Sequence, residues 1–327
     1  MNKQHTHMPS PTIQKGVSSF YTLKCLCCFF VVAIHTEFCI NDQLRFISGI
    51  GMALFLAITG YFLFSNDKER EIQKCLNWAK KAFLIFLMCN VVYIVSHIIV
   101  HNKFPGNDLK FWWKNLIMGN RVCFALWYLA ALWEALLIIA LLRKYLPKLI
   151  YLLPLLFIVV YLMINSESPL IPYNFKFCSI LSILQSLPFL ATGYLIHKHE
   201  ASFLNLKIEA ITITLLIAAF VENNLYIVLL NHKGIYHLTS YPLIVSAMLL
   251  CIKYPDFKIP YLTTIGKKHS PNIYYFHPLL MTVWGECGFS PFNQWQTPLI
   301  WLACIPVSIL ICFIRDKALS LFPFRTA

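Results

Sequence analysis

Long apolar stretches recur along this chain, separated by short polar connections. They lie near residues 18–39, 46–64, 78–100, 122–142, 148–164, 178–196, 208–231, 238–254, 270–288 and 296–314. A helix that crosses a bilayer needs about 20 mostly apolar residues. The pattern therefore predicts an all-α polytopic integral membrane protein with about ten transmembrane helices and short loops. Two connections keep helical spacing of their own and are expected to lie in the interface. One is 66–82, where Ile72, Leu76, Ala79 and Phe83 sit beside many charges; the other is 107–121, with Leu109, Trp112, Trp113 and Leu116. Pro154, Pro188, Pro242 and Pro306 fall within spans, where they kink helices and free carbonyls to face a cavity. Neither a 20-to-50-residue repeat nor a pair of inverted halves is visible.

Composition agrees with the pattern. Only 13% of residues are charged, against about a quarter in soluble domains. The formal charge of +13 matters here through its distribution rather than its size. Counted by alternate connections, 19 Lys and Arg fall on the side holding the termini and 7 on the other. Because cytoplasmic loops retain positive charge, both termini are expected in the cytoplasm of a cell with a bacterial-type inner membrane. Residues 1–17 and 315–327 are then cytoplasmic tails flanking one membrane domain at 18–314. The connection 101–121 fits this topology worst, since Lys103, Lys110, Lys114 and Arg121 would all lie outside.

Several classes of function find no support. Nucleic-acid binding is not expected of a basic balance explained by topology. Cys25, Cys27, Cys28, Cys89 and Cys304 fall in apolar runs, where Cys behaves as a small hydrophobe. His5 and His7 have nothing nearby to complete a ligand set, so no metal site is expected. The first apolar run has no small-residue cleavage signal and reads as a retained span. No phosphate loop, dinucleotide fingerprint, H-E-x-x-H or G-x-S-x-G is present.

The candidate chemistry begins in the first span. Lys24 and His35 are eleven positions apart, which puts them on nearly the same helix face about 16 Å apart. Ionisable groups within a span are costly and mark functional sites by default. Lys24 offers a point charge for phosphates, and His35 can take a proton from a hydroxyl near neutral pH. The alternative is that Lys24 snorkels to the interface and His35 is satisfied by a neighbouring helix. Glu134 lies at a depth comparable to Lys24 and is expected to pair with it, or else to pair with another cation or be protonated. Glu222, beside Asn223 and Asn224, either lines an acceptor path or knits helices together. Glu37 points away from His35 on a helix but could still reach an acceptor.

A basic residue, ten others and His, as in Lys24 and His35, resembles the first-span motif of the acyltransferase-3 family of integral membrane acyltransferases. Further segments are similar to that family's patterns in order: Gly51 to Leu63 (GMALFLAITGYFL), Ala125 to Leu132 (ALWYLAAL, which includes Trp127), Leu187 to Leu195 (LPFLATGYL) and Gly266 to His277 (GKKHSPNIYYFH). Lys24 stands where the family more often has Arg, and Thr59 where it more often has Ser. Lys keeps the charge but lacks the planar fork that grips a phosphate with two hydrogen bonds.

The resemblance implies transfer of an acyl group, most often acetyl from acetyl-CoA as co-substrate with no resident cofactor, to a hydroxyl of a carbohydrate or similar acceptor. His35 would be the essential histidine, acting as base or as covalent carrier, and Lys24 would serve the donor. Glu134, Glu222, Trp127 and His277 are possible supporting residues, with His277 expected to support structure or the donor path. The competing expectations are a transporter or flippase for a glycan or lipid-linked sugar, and a structural or sensory membrane protein.

Overall fold

With no water in the bilayer core, a spanning segment must satisfy its backbone internally, and helices do so within themselves. The computed structural model describes residues 17–35, 45–106, 108–165, 179–230, 237–287 and 296–321. Among them are thirteen α-helices and no strand. They are α1 (Ser18–His35), α2 (Arg45–Leu63), α3 (Lys68–His101), α4 (Leu109–Met118), α5 (Trp127–Tyr145), α6 (Leu156–Asn165), α7 (Ser179–Lys198), α8 (Glu200–Phe203), α9 (Ile208–Leu230), α10 (Ser240–Lys253), α11 (Pro260–Lys268), α12 (Ser270–Glu286) and α13 (Gln296–Leu321).

The protein is an all-α polytopic membrane protein. Among the described residues, five segments are long and apolar enough to cross a bilayer: Ser18–His35, Phe46–Leu63, Lys68–His101, Phe124–Tyr145 and Ile208–Val228. The other five expected spans each fall on a helix, namely α6, α7, α10, α12 and α13. Proline interrupts three of them, at Pro188 in α7, Pro278 in α12 and Pro306 in α13.

The stretch 66–82 departs from expectation. It is not a separate interfacial helix but the first turns of α3, which runs unbroken for 34 residues. At 1.5 Å per residue that is about 51 Å, well beyond a hydrocarbon core of about 30 Å, so the charged turns stand clear of it. Asp67 starts this helix, its carboxylate accepting from the backbone N–H groups of Glu69 (3.0 Å) and Arg70 (3.4 Å). The stretch 107–121 does hold a short helix of its own, α4. It ends at Gly119, whose positive φ of 66° lets its N–H close on the Asn115 carbonyl.

Small residues set how closely the helices approach. A Cβ on Gly60 of α2 would lie 1.9 Å from the Leu190 carbonyl oxygen of α7, and one on Gly193 of α7 would lie 1.8 Å from that of Ala57 in α2. The two backbones therefore touch, and each glycine makes room for the other helix. Near this crossing the buried Glu71 carboxylate meets Arg143 Nε at 2.7 Å and also accepts from the Ser65 N–H and the Tyr194 hydroxyl, both at 3.4 Å. One paired charge thus ties α3 to α5 and α7.

The α2–α7 crossing yields a direct test. Gly193→Ala is expected to destabilise the detergent-solubilised protein by about 1–3 kcal/mol, the usual cost of overpacking. Gly285→Ala, where a Cβ meets nothing within 4 Å, should leave the thermal midpoint within error of the parent. Equal midpoints for the two variants would contradict the crossing.

Candidate functional site

Lys24 and His35 both lie on α1, eleven residues apart, with Lys24 about two turns into the helix. His35 is the last residue of that helix. Its ring is held between two others: Phe124 meets it edge to face at 4.6 Å between centroids, and His277 stacks on it at 5.5 Å with 18° between the planes. Among the described residues, His35 makes no hydrogen bond to a protein group, so its ring nitrogens are free to serve a ligand.

The position of His277 follows from the next residue. Pro278 has no N–H, so the carbonyl four residues back, that of Tyr274, loses its helical donor. His277 Nδ1–H fills the gap, donating to the Tyr274 carbonyl at 2.7 Å. That bond fixes the neutral tautomer and leaves the lone pair on Nε2. The residue is fully buried, and Nε2 has no partner among the described residues.

Tyrosine hydroxyls hold α12 and the segment carrying Phe124 in place. The Tyr274 hydroxyl donates to the Ala125 carbonyl, and the Tyr93 hydroxyl of α3 donates to the Tyr275 carbonyl at 2.7 Å. On the far side, Asn115 of α4 donates to Asn90 of α3 at 2.6 Å and accepts from the N–H groups of Arg121 and Val122. The turn leading into α5 is therefore fastened at both ends. Sequence reading missed Phe124 as a neighbour of His35; its only signal was its place one residue before the ALWYL segment.

Earlier on α1, Lys24 is partly buried beside two rings, its ammonium 5.9 Å from the Tyr21 centroid and 5.8 Å from that of Phe62. Lys267 of α11 approaches the Tyr21 ring from elsewhere, at 5.6 Å. Gly266 permits this, since a Cβ there would lie 1.8 Å from the Tyr21 carbonyl oxygen. Among the described residues no carboxylate forms an ion pair with Lys24 or Lys267. Two ammonium groups thus share one aromatic ring without neutralisation, a natural seat for a polyanion.

The expected Lys24–Glu134 pair does not form. Glu134 Oε2 is buried without a hydrogen-bond partner. Depth alone suggested the pair, but α1 packs chiefly on α2 and α11 whereas α5 packs chiefly on α3 and α7, so the two side chains belong to different faces of the bundle. Glu222 accepts from the N–H groups of Leu238 (2.7 Å) and Thr239 (2.9 Å) and from the Thr239 hydroxyl (2.6 Å). Its carboxylate is spent on the start of α10, which answers for its place in α9. Trp127 opens α5 and packs against Tyr128 and the core rather than on His35. His269, within the GKKHS segment, joins α12 to α13 through Ser308 Oγ at 3.1 Å. Glu37 lies outside the described residues.

On α1, the residues Cys27, Cys28, Val31 and Val32, which fall between Lys24 and His35 in the chain, are buried. Cys27 and Cys28 are fully buried, and Tyr128 and Tyr274 are nearly so. A cavity of about 330 Å³ lies instead against the opposite face of α1, lined by Ser19, Thr22, Leu26, Ala247, Leu250 and Phe257. It touches neither Lys24 nor His35. No group of three or more His, Cys, Asp or Glu able to hold a metal occurs among the described residues.

Comparison with known families matches residues 18–315 to one described as an acyltransferase domain. Neither the curated proteins nor the solved structures give a match.

The arrangement around Glu222 is a matter of stability. Glu222→Ala strands two N–H donors and a hydroxyl at the start of α10 and should destabilise the protein by about 1–3 kcal/mol, read as a lowered thermal midpoint in detergent. An unchanged midpoint would free the residue for another role.

Proposed function

The chain belongs to this acyltransferase family, and from that premise we propose that it moves an acetyl group from acetyl-CoA to a hydroxyl of a cell-envelope carbohydrate or glycolipid. The observation that carries the reading is the division of labour along α1: a cation with no ion pair and, eleven residues on, an imidazole with no hydrogen bond, both among the described residues. A donor with several phosphates matches the first, and a hydroxyl that must lose a proton matches the second. Family membership favours an enzyme over the transporter or flippase, an expectation that the intramembrane charges alone left open.

In this reading His35 is the general base. A ring nitrogen takes the proton of the acceptor hydroxyl as its oxygen bonds to the thioester carbonyl carbon. The carbon–sulfur bond then breaks, sulfur leaves as the CoA thiolate, and the imidazolium returns the proton to give the free thiol and the O-acetyl ester. Lys24, with Lys267 beside the same ring, holds the donor's phosphates by charge. Cys27 and Cys28, which fall between the two groups on α1, are fully buried, so a donor's arm running along this face enters as buried side chains give way. Closure around the reacting atoms then keeps water from the thioester.

The bias of Lys and Arg supports a donor arriving from the cytoplasm and an acceptor from the opposite face. The lipid bilayer is the working environment, in the cell membrane, with both termini on the donor's side.

Two substitutions test the assignment in membranes supplied with radiolabelled acetyl-CoA. His35→Ala should lower transfer to envelope glycan by about 10²–10⁴-fold, the range of general-base catalysis, with the protein still inserted and its thermal midpoint retained. Full activity in that variant would falsify the mechanism. Lys24→Ala should raise the KM for acetyl-CoA roughly 10-fold, as expected for loss of one charged contact, whereas Lys24→Arg should stay within about threefold of the parent. An unchanged donor KM in Lys24→Ala would remove the phosphate role.

A further inference from the structure

An imidazole nitrogen buried without a partner is costly, and native proteins rarely tolerate one without a use. His277 Nε2 is such an atom: the residue is fully buried, Nδ1–H is committed to the Tyr274 carbonyl, and the ring lies flat on His35. The residue after it creates the commitment, because Pro278 removes the donor that the Tyr274 carbonyl would otherwise have. Nε2 is therefore fixed as an acceptor and cannot become a donor by exchanging tautomers. It can be satisfied only by a ligand or water that brings an O–H or N–H.

We propose that His277 binds the acceptor, its Nε2 receiving a hydrogen bond from a second hydroxyl while His35 takes the proton from the hydroxyl that is acylated. The inference rests on the reading of His35 as general base and adds to it a residue that binds the acceptor. Two imidazoles stacked face to face offer two acceptors side by side, which suits a polyhydroxylated molecule and leaves a lone alcohol half-recognised. His277 supplies no proton and forms no bond to the acyl group. It holds the acceptor so that the reacting hydroxyl meets His35, whose ring also meets Phe124 edge to face.

The structural neighbours keep this role separate from the donor's. His277 is joined to Tyr274 and His35, whereas the rings beside Lys24 are Tyr21 and Phe62. A change at Nε2 should then act on the acceptor step and leave donor affinity alone.

Two replacements divide the possibilities. His277→Phe keeps a flat ring against His35 but removes Nε2; His277→Gln removes the ring but returns an acceptor oxygen near the position of Nε2. In membranes containing the full chain, with radiolabelled acetyl-CoA as donor and endogenous envelope glycan as acceptor, His277→Phe is expected to lose at least about 10-fold in transfer rate, with the KM for acetyl-CoA unchanged. His277→Gln should remain within about threefold of the parent. If the phenyl ring cannot be housed, shown by a lost thermal midpoint, His277→Leu makes the same comparison. Parental activity in His277→Phe or His277→Leu overturns the proposal, as does a loss in His277→Gln as large as in His277→Phe, or a loss carried by donor KM. His35→Ala, run alongside, separates the two levels. If it is inactive while His277→Phe behaves as the parent, only the acceptor role falls; if it stays active, the base assignment falls with it.

Discussion

A bilayer offers no water to a buried polar side chain, so each such group in this bundle is either held by another part of the chain or left for something that enters from outside. That single constraint sorts the polar residues into two kinds. Glu71 is enclosed by Arg143, Tyr194 and the Ser65 N–H, Glu222 by the start of α10, and Asn115 by Asn90 and the turn before α5. Each is spent on architecture. Among the described residues Lys24, His35 and His277 Nε2 have no such enclosure, and it is on them that the proposed chemistry is built. Glu134 Oε2 belongs with them by its lack of a partner, but nothing joins it to the ring pair or to the lysines.

The same constraint explains why so much of the site depends on backbone details. A proline in a membrane helix leaves a carbonyl without its donor, and the bundle has to answer that carbonyl from a side chain. In α12 the answer is the residue immediately before the proline, so one substitution in the backbone ladder sets the tautomer of a buried imidazole. Glycine acts in a parallel way at the other end. Only the absence of a Cβ at Gly266 lets α11 come against α1 at Tyr21, and that approach brings Lys267 to the ring already beside Lys24.

Much of this was legible in the chain itself, and the part that was not has a physical reason. Apolar runs of bilayer length specify helices strongly, because lipid leaves the backbone no alternative. The eleven-residue interval likewise determines that Lys24 and His35 share a face. Interfacial assignment was weaker: 66–82 carries both an apolar stripe and many charges, a pattern shared by a helix lying on the membrane and by the projecting end of a long spanning helix. The Lys24–Glu134 pair failed because depth along a helix says nothing about direction around the bundle. Pairing of His35 with His277 and Phe124 was hidden for a related reason. Residues 35, 124 and 277 are brought together by packing, and no local period connects them.

A closed interior is what this chemistry requires of the fold. Under the proposed function, a thioester meeting water along this face of α1 would be lost to hydrolysis, so a route from Lys24 to His35 is best kept shut until both substrates are present. Cys27 and Cys28 are small, and the hydroxyl of Tyr274 hangs on a carbonyl of the very segment that carries Phe124. Displacing Tyr274 would therefore also loosen the segment that carries Phe124. The segment carrying Phe124 and the ring of His277 are thereby joined through a single tyrosine, which hydrogen-bonds at its hydroxyl to the first and at its carbonyl to the second.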